Sequence, residues 1–149
     1  MTKKLLYMHM ASVQPSKSGG LNTTLLQVFS MCTAFVKSGY KVTLAMQKNE
    51  GFEKNLEVFI NNTFKDGINF EIVTWKQKSK NLFINRFMAN RSIVKIAKQN
   101  NPHMIFSRDS FILNALTKLN VPLIFESHNS KSHTRHAILH KYLEKRLLR

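Results

Sequence analysis

The chain has 149 residues, the size of one domain, and a core of that size needs no disulfide staple. Hydrophobic residues make up 43% and aromatics 10%, which excludes a disordered tail or a linker. Lys and Arg number 23 against 8 Asp and Glu, a net charge of +15, so the expected neighbourhood is polyanionic: nucleic acid, an acidic membrane surface or phosphorylated substrates.

A single cysteine, Cys32, rules out an internal disulfide and a Cys-rich zinc module. Its setting, Phe29-Ser30-Met31-Cys32-Thr33-Ala34, reads as the inside of an apolar helix with no adjacent base to activate the thiol. No stretch reaches the roughly 18–20 apolar residues of a membrane-spanning helix. The apolar run after Lys3-Lys4 is too short for a signal peptide and is interrupted by His9. The expectation is a cytoplasmic chain, in which the glycosylation-like triplets at Asn22, Asn61 and Asn90 carry no meaning.

The elements alternate. Leu5–His9 is a short run suited to a strand buried on both faces. Ala11–Gly20, broken by Pro15 and Gly19-Gly20, is a loop. Leu21–Ser38 has helical spacing, and Gly39 closes it in the left-handed region. Lys41–Met46 is the second strand, Phe52–Phe64 a helix, and Ile68–Thr74 alternates like a third strand. Phe83–Lys98 places Phe83, Phe87, Ile93, Val94 and Ala97 on one helical face. Met104–Phe106 is the fourth strand, Ser110–Leu119 a helix, Val121–Glu126 the fifth strand, and Thr134–Arg149 a last helix. Such alternation predicts an α/β fold, a Rossmann-like three-layer domain with a parallel sheet in the order 3-2-1-4-5.

Ligands in that fold bind outside the carboxyl ends of the strands, where strand order reverses. Met10–Gly20, Ser107–Asp109 and Glu126–Asn129 then share one crevice. Gly19-Gly20 opens a helix, where bare backbone N–H groups suit a phosphate or a plain flexible turn. The full G-x-G-x-x-G fingerprint is absent and Met46-Gln47-Lys48 brings no acid to the end of strand two, so NAD is not expected. Asp109 or Ser110 is an expected helix N-cap, and Arg108 is either a solvated charge or a crevice residue. Glu126 and His128 are two apart and project to one side if extended. There an imidazole could meet a sugar hydroxyl or a developing charge, or be satisfied by backbone. His133, His136 and His140 have metal-compatible spacing, but no Cys or carboxylate completes a set, so no metal is expected.

No acid stands between Ile72 and Arg108, while Lys76, Lys78, Lys80, Arg86, Arg91, Lys95 and Lys98 do. Lys141, Lys145, Arg146 and Arg149 form a second basic patch on the last helix, suited to anionic headgroups on the inner face of a membrane. Nucleic acid is the less favoured partner, because no helix-turn-helix, zinc-finger or interleaved-aromatic pattern accompanies the charge. A non-catalytic basic α/β module binding nucleic acid or another polyanion is the alternative reading.

Three stretches resemble the N-terminal half of a GT-B glycosyltransferase, most of all the retaining group called family 4. Gly19-Gly20 opens a helix ending Gly39-Tyr40-Lys41-Val42-Thr43, similar to the family's Gly-Gly loop and "G-H-E-V-T" strand, with Tyr40 and Lys41 replacing His and Glu. Pro102-His103-Met104-Ile105-Phe106-Ser107-Arg108 is similar to "P-D-I-I-x-x-R", and Val121-Pro122 through Glu126-Ser127-His128 to "G-V-P-hydrophobic-x-x-E-x-H". The resemblance implies a hexosyltransferase-type enzyme using a nucleotide-sugar donor and a lipid-linked or cell-envelope glycan acceptor, with no cofactor or divalent metal. It implies that Gly19 and Gly20 line the donor's diphosphate and that His128 is catalytic beside the transferred sugar. Arg108, Glu126 and Asn129 would then bind substrate on the acceptor side. Residues 1–149 would form the acceptor-side domain alone, inactive without the family's donor-binding second domain.

Overall fold

The computed structural model of the chain describes residues 2–10, 23–79 and 81–126, with backbone alone at 82 and 83. Strands and helices alternate along it: β1 (Lys4–His9), α1 (Thr23–Lys37), β2 (Lys41–Lys48), α2 (Phe52–Thr63), β3 (Glu71–Lys76), α3 (Leu82–Asn100), β4 (Met104–Ser107), α4 (Ser110–Leu116) and β5 (Leu123–Phe125). The five strands form one sheet in the order β3-β2-β1-β4-β5, every pair parallel. The predicted fold class and strand order are those observed.

β1 is central because it is apolar on both faces. Leu5 and Tyr7 pack with Leu25, Val28, Phe29 and Cys32 of α1 and with Phe52 and Phe59 of α2. Leu6 and Met8 pack on the opposite face with Ala89, Ile93 and Ala97 of α3 and with Ile112, Leu113 and Leu116 of α4. Phe29 is the hub of the first layer, its ring centroid 5.0 Å from Phe59, 5.3 Å from Phe70 and 5.7 Å from Phe64. Cys32 lies in that layer, buried, and burial pushes its thiol up to about 12, so it is inert as expected.

Gly39 ends α1 at φ +88°. Its N–H donates to Val36 O at 2.9 Å, and the Tyr40 N–H donates to Phe35 O at 3.1 Å. These two bonds make a Schellman motif, which turns the chain straight into β2.

Beyond shifts of one or two residues, two boundaries and one helix face differ from the sequence expectation. β3 starts at Glu71 rather than Ile68. Gly67, at φ +72° and donating to Phe64 O at 2.9 Å, makes a turn there, so Ile68 and Phe70 fill the first layer before ladder pairing begins. α4 stops at Leu116, three residues early, where the Thr117 hydroxyl and N–H both turn back to Asn114 O. Phe87, expected on the core face of α3, is instead 76% exposed. Asn85 takes a core-side position because its Oδ1 accepts the N–H groups of Lys78 (2.9 Å) and Ser79 (3.4 Å), tying down the loop that enters α3. With Asn85, Ala89, Ile93 and Ile96 inward, helical geometry turns position 87 to solvent.

Candidate functional site at the carboxyl edge

The predicted crevice position falls where β1, β4 and β5 end side by side. Ser107, the last residue of β4, pairs with Met8 of β1 and Phe125 of β5. Its hydroxyl donates to Met8 O at 2.8 Å and accepts from the Asp109 N–H at 3.0 Å. The Glu126 N–H donates to Ser107 O at 3.1 Å. One buried serine thus pins the ends of two strands and the turn into α4, which fixes where residues 108, 109 and 126 stand.

Arg108 is not a solvated charge. Its Nε donates to Glu126 Oε2 at 2.8 Å and its Nη2 to Glu126 Oε1 at 3.1 Å, a two-pronged pair, while Nη1 reaches across to Gln27 Oε1 on α1 at 3.0 Å. Both partners are largely shielded from water, and the Glu126 carboxylate holds the guanidinium still higher than its ordinary value. Three of five guanidinium N–H groups are thereby engaged. The other two meet no partner among the described residues. A guanidinium held in one place with donors to spare suits hydroxyl-rich ligands.

Beside this pair lies a residue the sequence reading passed over. His9 ends β1, is buried, and its Nε2 meets no hydrogen-bond partner among the described residues. Burial lowers its pKa to about 4, outweighing the pull of Asp109, so the imidazole is neutral near pH 7. The Tyr7 hydroxyl is likewise buried and unpartnered among the described residues, and burial raises its pKa. A polar residue closing an otherwise apolar strand at the carboxyl edge was the available signal for His9.

Asp109 is the N-cap of α4, as expected. Its Oδ1 accepts the Phe111 N–H at 2.9 Å, and its Oδ2 takes Arg86 Nη2 at 3.4 Å. The Arg86 guanidinium also lies 4.8 Å from the Phe111 ring centroid. These contacts brace α3 against α4.

At the ends of β2 and β3 a second cleft, of about 770 Å³, is lined by Lys48, Glu53, Lys76 and Lys78 among others. Lys48 donates to Glu53 there at 3.3 Å, and Lys48, not an acid, ends β2.

Of the sequence-predicted site, Arg108 and Glu126 are brought together. Gly19, Gly20, His128 and Asn129, and the basic patch Lys141, Lys145, Arg146 and Arg149, lie outside the described residues, as do His133, His136 and His140. Among the described residues no group of three His, Cys, Asp or Glu could hold a metal ion, and no helix is long and apolar enough to cross a membrane. No protein-family model matches the chain, and no curated protein matches it.

Proposed function

We propose that the chain is the acceptor-side domain of a glycosyltransferase, which moves a sugar from a nucleotide-sugar donor to a lipid-linked or cell-envelope glycan. The observation that carries this reading is the Arg108–Glu126 pair at the carboxyl edge of β4 and β5, with Glu126 two residues before His128 in the chain. The pair is braced from α1 by Gln27 and flanked by a neutral, partly unsatisfied imidazole at His9. It offers preset N–H donors with little reorganisation, which is one way protein sites hold sugar hydroxyls. The resemblance of the segments around Gly19-Gly20, Arg108 and Glu126 to retaining GT-B enzymes supports the same reading. In it, His128 steadies positive charge on the sugar ring while the diphosphate leaves.

Saturation-transfer NMR on the 149-residue chain tests the binding half of this reading, with free oligosaccharides and nucleotide diphosphate sugars as probes. Oligosaccharide signals are expected, weakened about tenfold or more in Arg108→Ala, which removes the guanidinium donors. Turnover of a nucleotide sugar by this chain alone is not expected, because clamping the donor away from water takes two facing walls. Binding of oligonucleotides with a steep salt dependence, and no carbohydrate signal, would favour the non-catalytic polyanion-binding module.

A further inference from the structure

The solvent face of α3 carries more apolar surface than its surroundings explain. Ile84 is 49%, Phe87 76% and Met88 49% exposed, and they stand at i, i+3 and i+4, one above the other. The same face continues through Arg91, Lys95 and Lys98, all exposed. Asn90, Arg91, Val94, Lys95, Lys98 and Gln99 line a shallow groove of about 490 Å³ there. From Ile84 to Lys98 the face runs about 21 Å at 1.5 Å per residue. Residues 72–108 contain no acid, and the next acid, Asp109, is taken by Arg86.

We propose that this face of α3 docks the protein on an anionic lipid bilayer, with Ile84, Phe87 and Met88 entering the headgroup–acyl boundary and Arg91, Lys95 and Lys98 meeting lipid phosphates. A helix lying in the interface needs large apolar side chains on one face and cations beside them, with no acid to repel the surface. α3 has all three. Charge selects this occupant: a second copy of the chain would set cations against cations, and a neutral apolar partner would leave three of them unanswered. The fold adds a direction. α3 crosses from the end of β3 to the start of β4, so its apolar end lies at the carboxyl edge, held to α4 by Arg86 and Asp109. Docking therefore turns the crevice edge toward the bilayer. The proposal stands apart from the sugar-transfer reading, since it needs no ligand in the crevice.

Flotation of the full chain with vesicles tests it, using phosphatidylcholine alone and an equimolar mixture with phosphatidylglycerol. The protein is expected to partition onto the mixed vesicles and not onto phosphatidylcholine. Phe87→Ser should lower that partition about tenfold. The triple variant Arg91→Ser, Lys95→Ser, Lys98→Ser should lower it about a hundredfold, near fivefold per cation. All four side chains are exposed, so circular dichroism should show both variants folded. Phe87→Trp should blue-shift on adding mixed vesicles, against a constant signal from buried Trp75. The proposal fails if both variants partition like the parent while changes at Lys141, Lys145, Arg146 and Arg149 abolish binding. It also fails if Phe87→Ser dissolves a dimer without altering partition, or if oligonucleotides displace the chain from vesicles and bind regardless of residue 87.

Discussion

The imidazole of His9 shows how one residue's environment becomes a property of the whole protein. Unfolded, it takes up a proton near pH 6.5; folded and buried, it does so only near pH 4. The unfolded chain therefore binds the extra proton between those values, and the folded state loses stability as pH falls through that window, by up to about 3 kcal/mol. That stability is fully present above pH 6.5. Urea unfolding at pH 7 and near pH 4.5 should show the parent losing about 2–3 kcal/mol more than His9→Gln, which has no such proton to bind. Parallel losses in the two proteins would mean that His9 is not held neutral by the fold. His9 was legible only as a break in an apolar run, and Gln27 not at all. Gln27 is a partner of Arg108 across 81 residues of chain, and no local pattern records such a meeting.

At the scale of elements, the Asp109 side chain joins α3 to α4, so its substitution should be felt in both. Asp109→Ala removes the α4 cap and strands Arg86, whose Nε already lacks a partner among the described residues. A cap is worth about 1 kcal/mol, and a charge left behind in a shielded site adds more, so a loss of about 2–4 kcal/mol is expected in urea unfolding. Asp109→Asn keeps the cap oxygen and loses only the ion pair, and should cost about half as much. Equal losses would show that the cap contributes nothing. The same elements show what sequence reading could reach. Period and punctuation located every described strand and helix, since Gly39 marks a real turn and the apolar runs are real cores. The slips have physical causes. Ile68 and Phe70 alternate like strand residues, yet they do so to pack on Phe29, not to pair. Phe87 obeys a helical spacing, but a buried Asn85, needed to tie the preceding loop, rotates the core face away from it. The Arg108–Glu126 pair was foreseeable as two residues in one crevice, and its two-pronged geometry was not.

At the scale of the whole molecule, one parallel sheet separates two apolar layers, and β1, β2 and β4 contribute side chains to both. Neither layer can be lost without uncovering strands the other needs, so the domain should unfold in one step. The sequence supplies one natural probe in each layer. Trp75, its only tryptophan, is buried against the α3 and α4 side, and Cys32, its only cysteine, against the α1 and α2 side. Burial holds the Cys32 thiol inert, so labelling by a thiol reagent reports opening of its layer, while Trp75 emission reports the other. Phe29→Ala removes the hub of the Cys32 layer and should cost about 3–5 kcal/mol. If the sheet couples the layers, the urea midpoint read from Trp75 must fall as far as the midpoint read from Cys32, although Phe29 belongs to the other layer. A Trp75 midpoint that stays near the parent value while Cys32 opens early would show two layers that unfold separately. In that event the crevice, built from residues braced on both sides of the sheet, would lose its α1 wall while keeping its α4 wall.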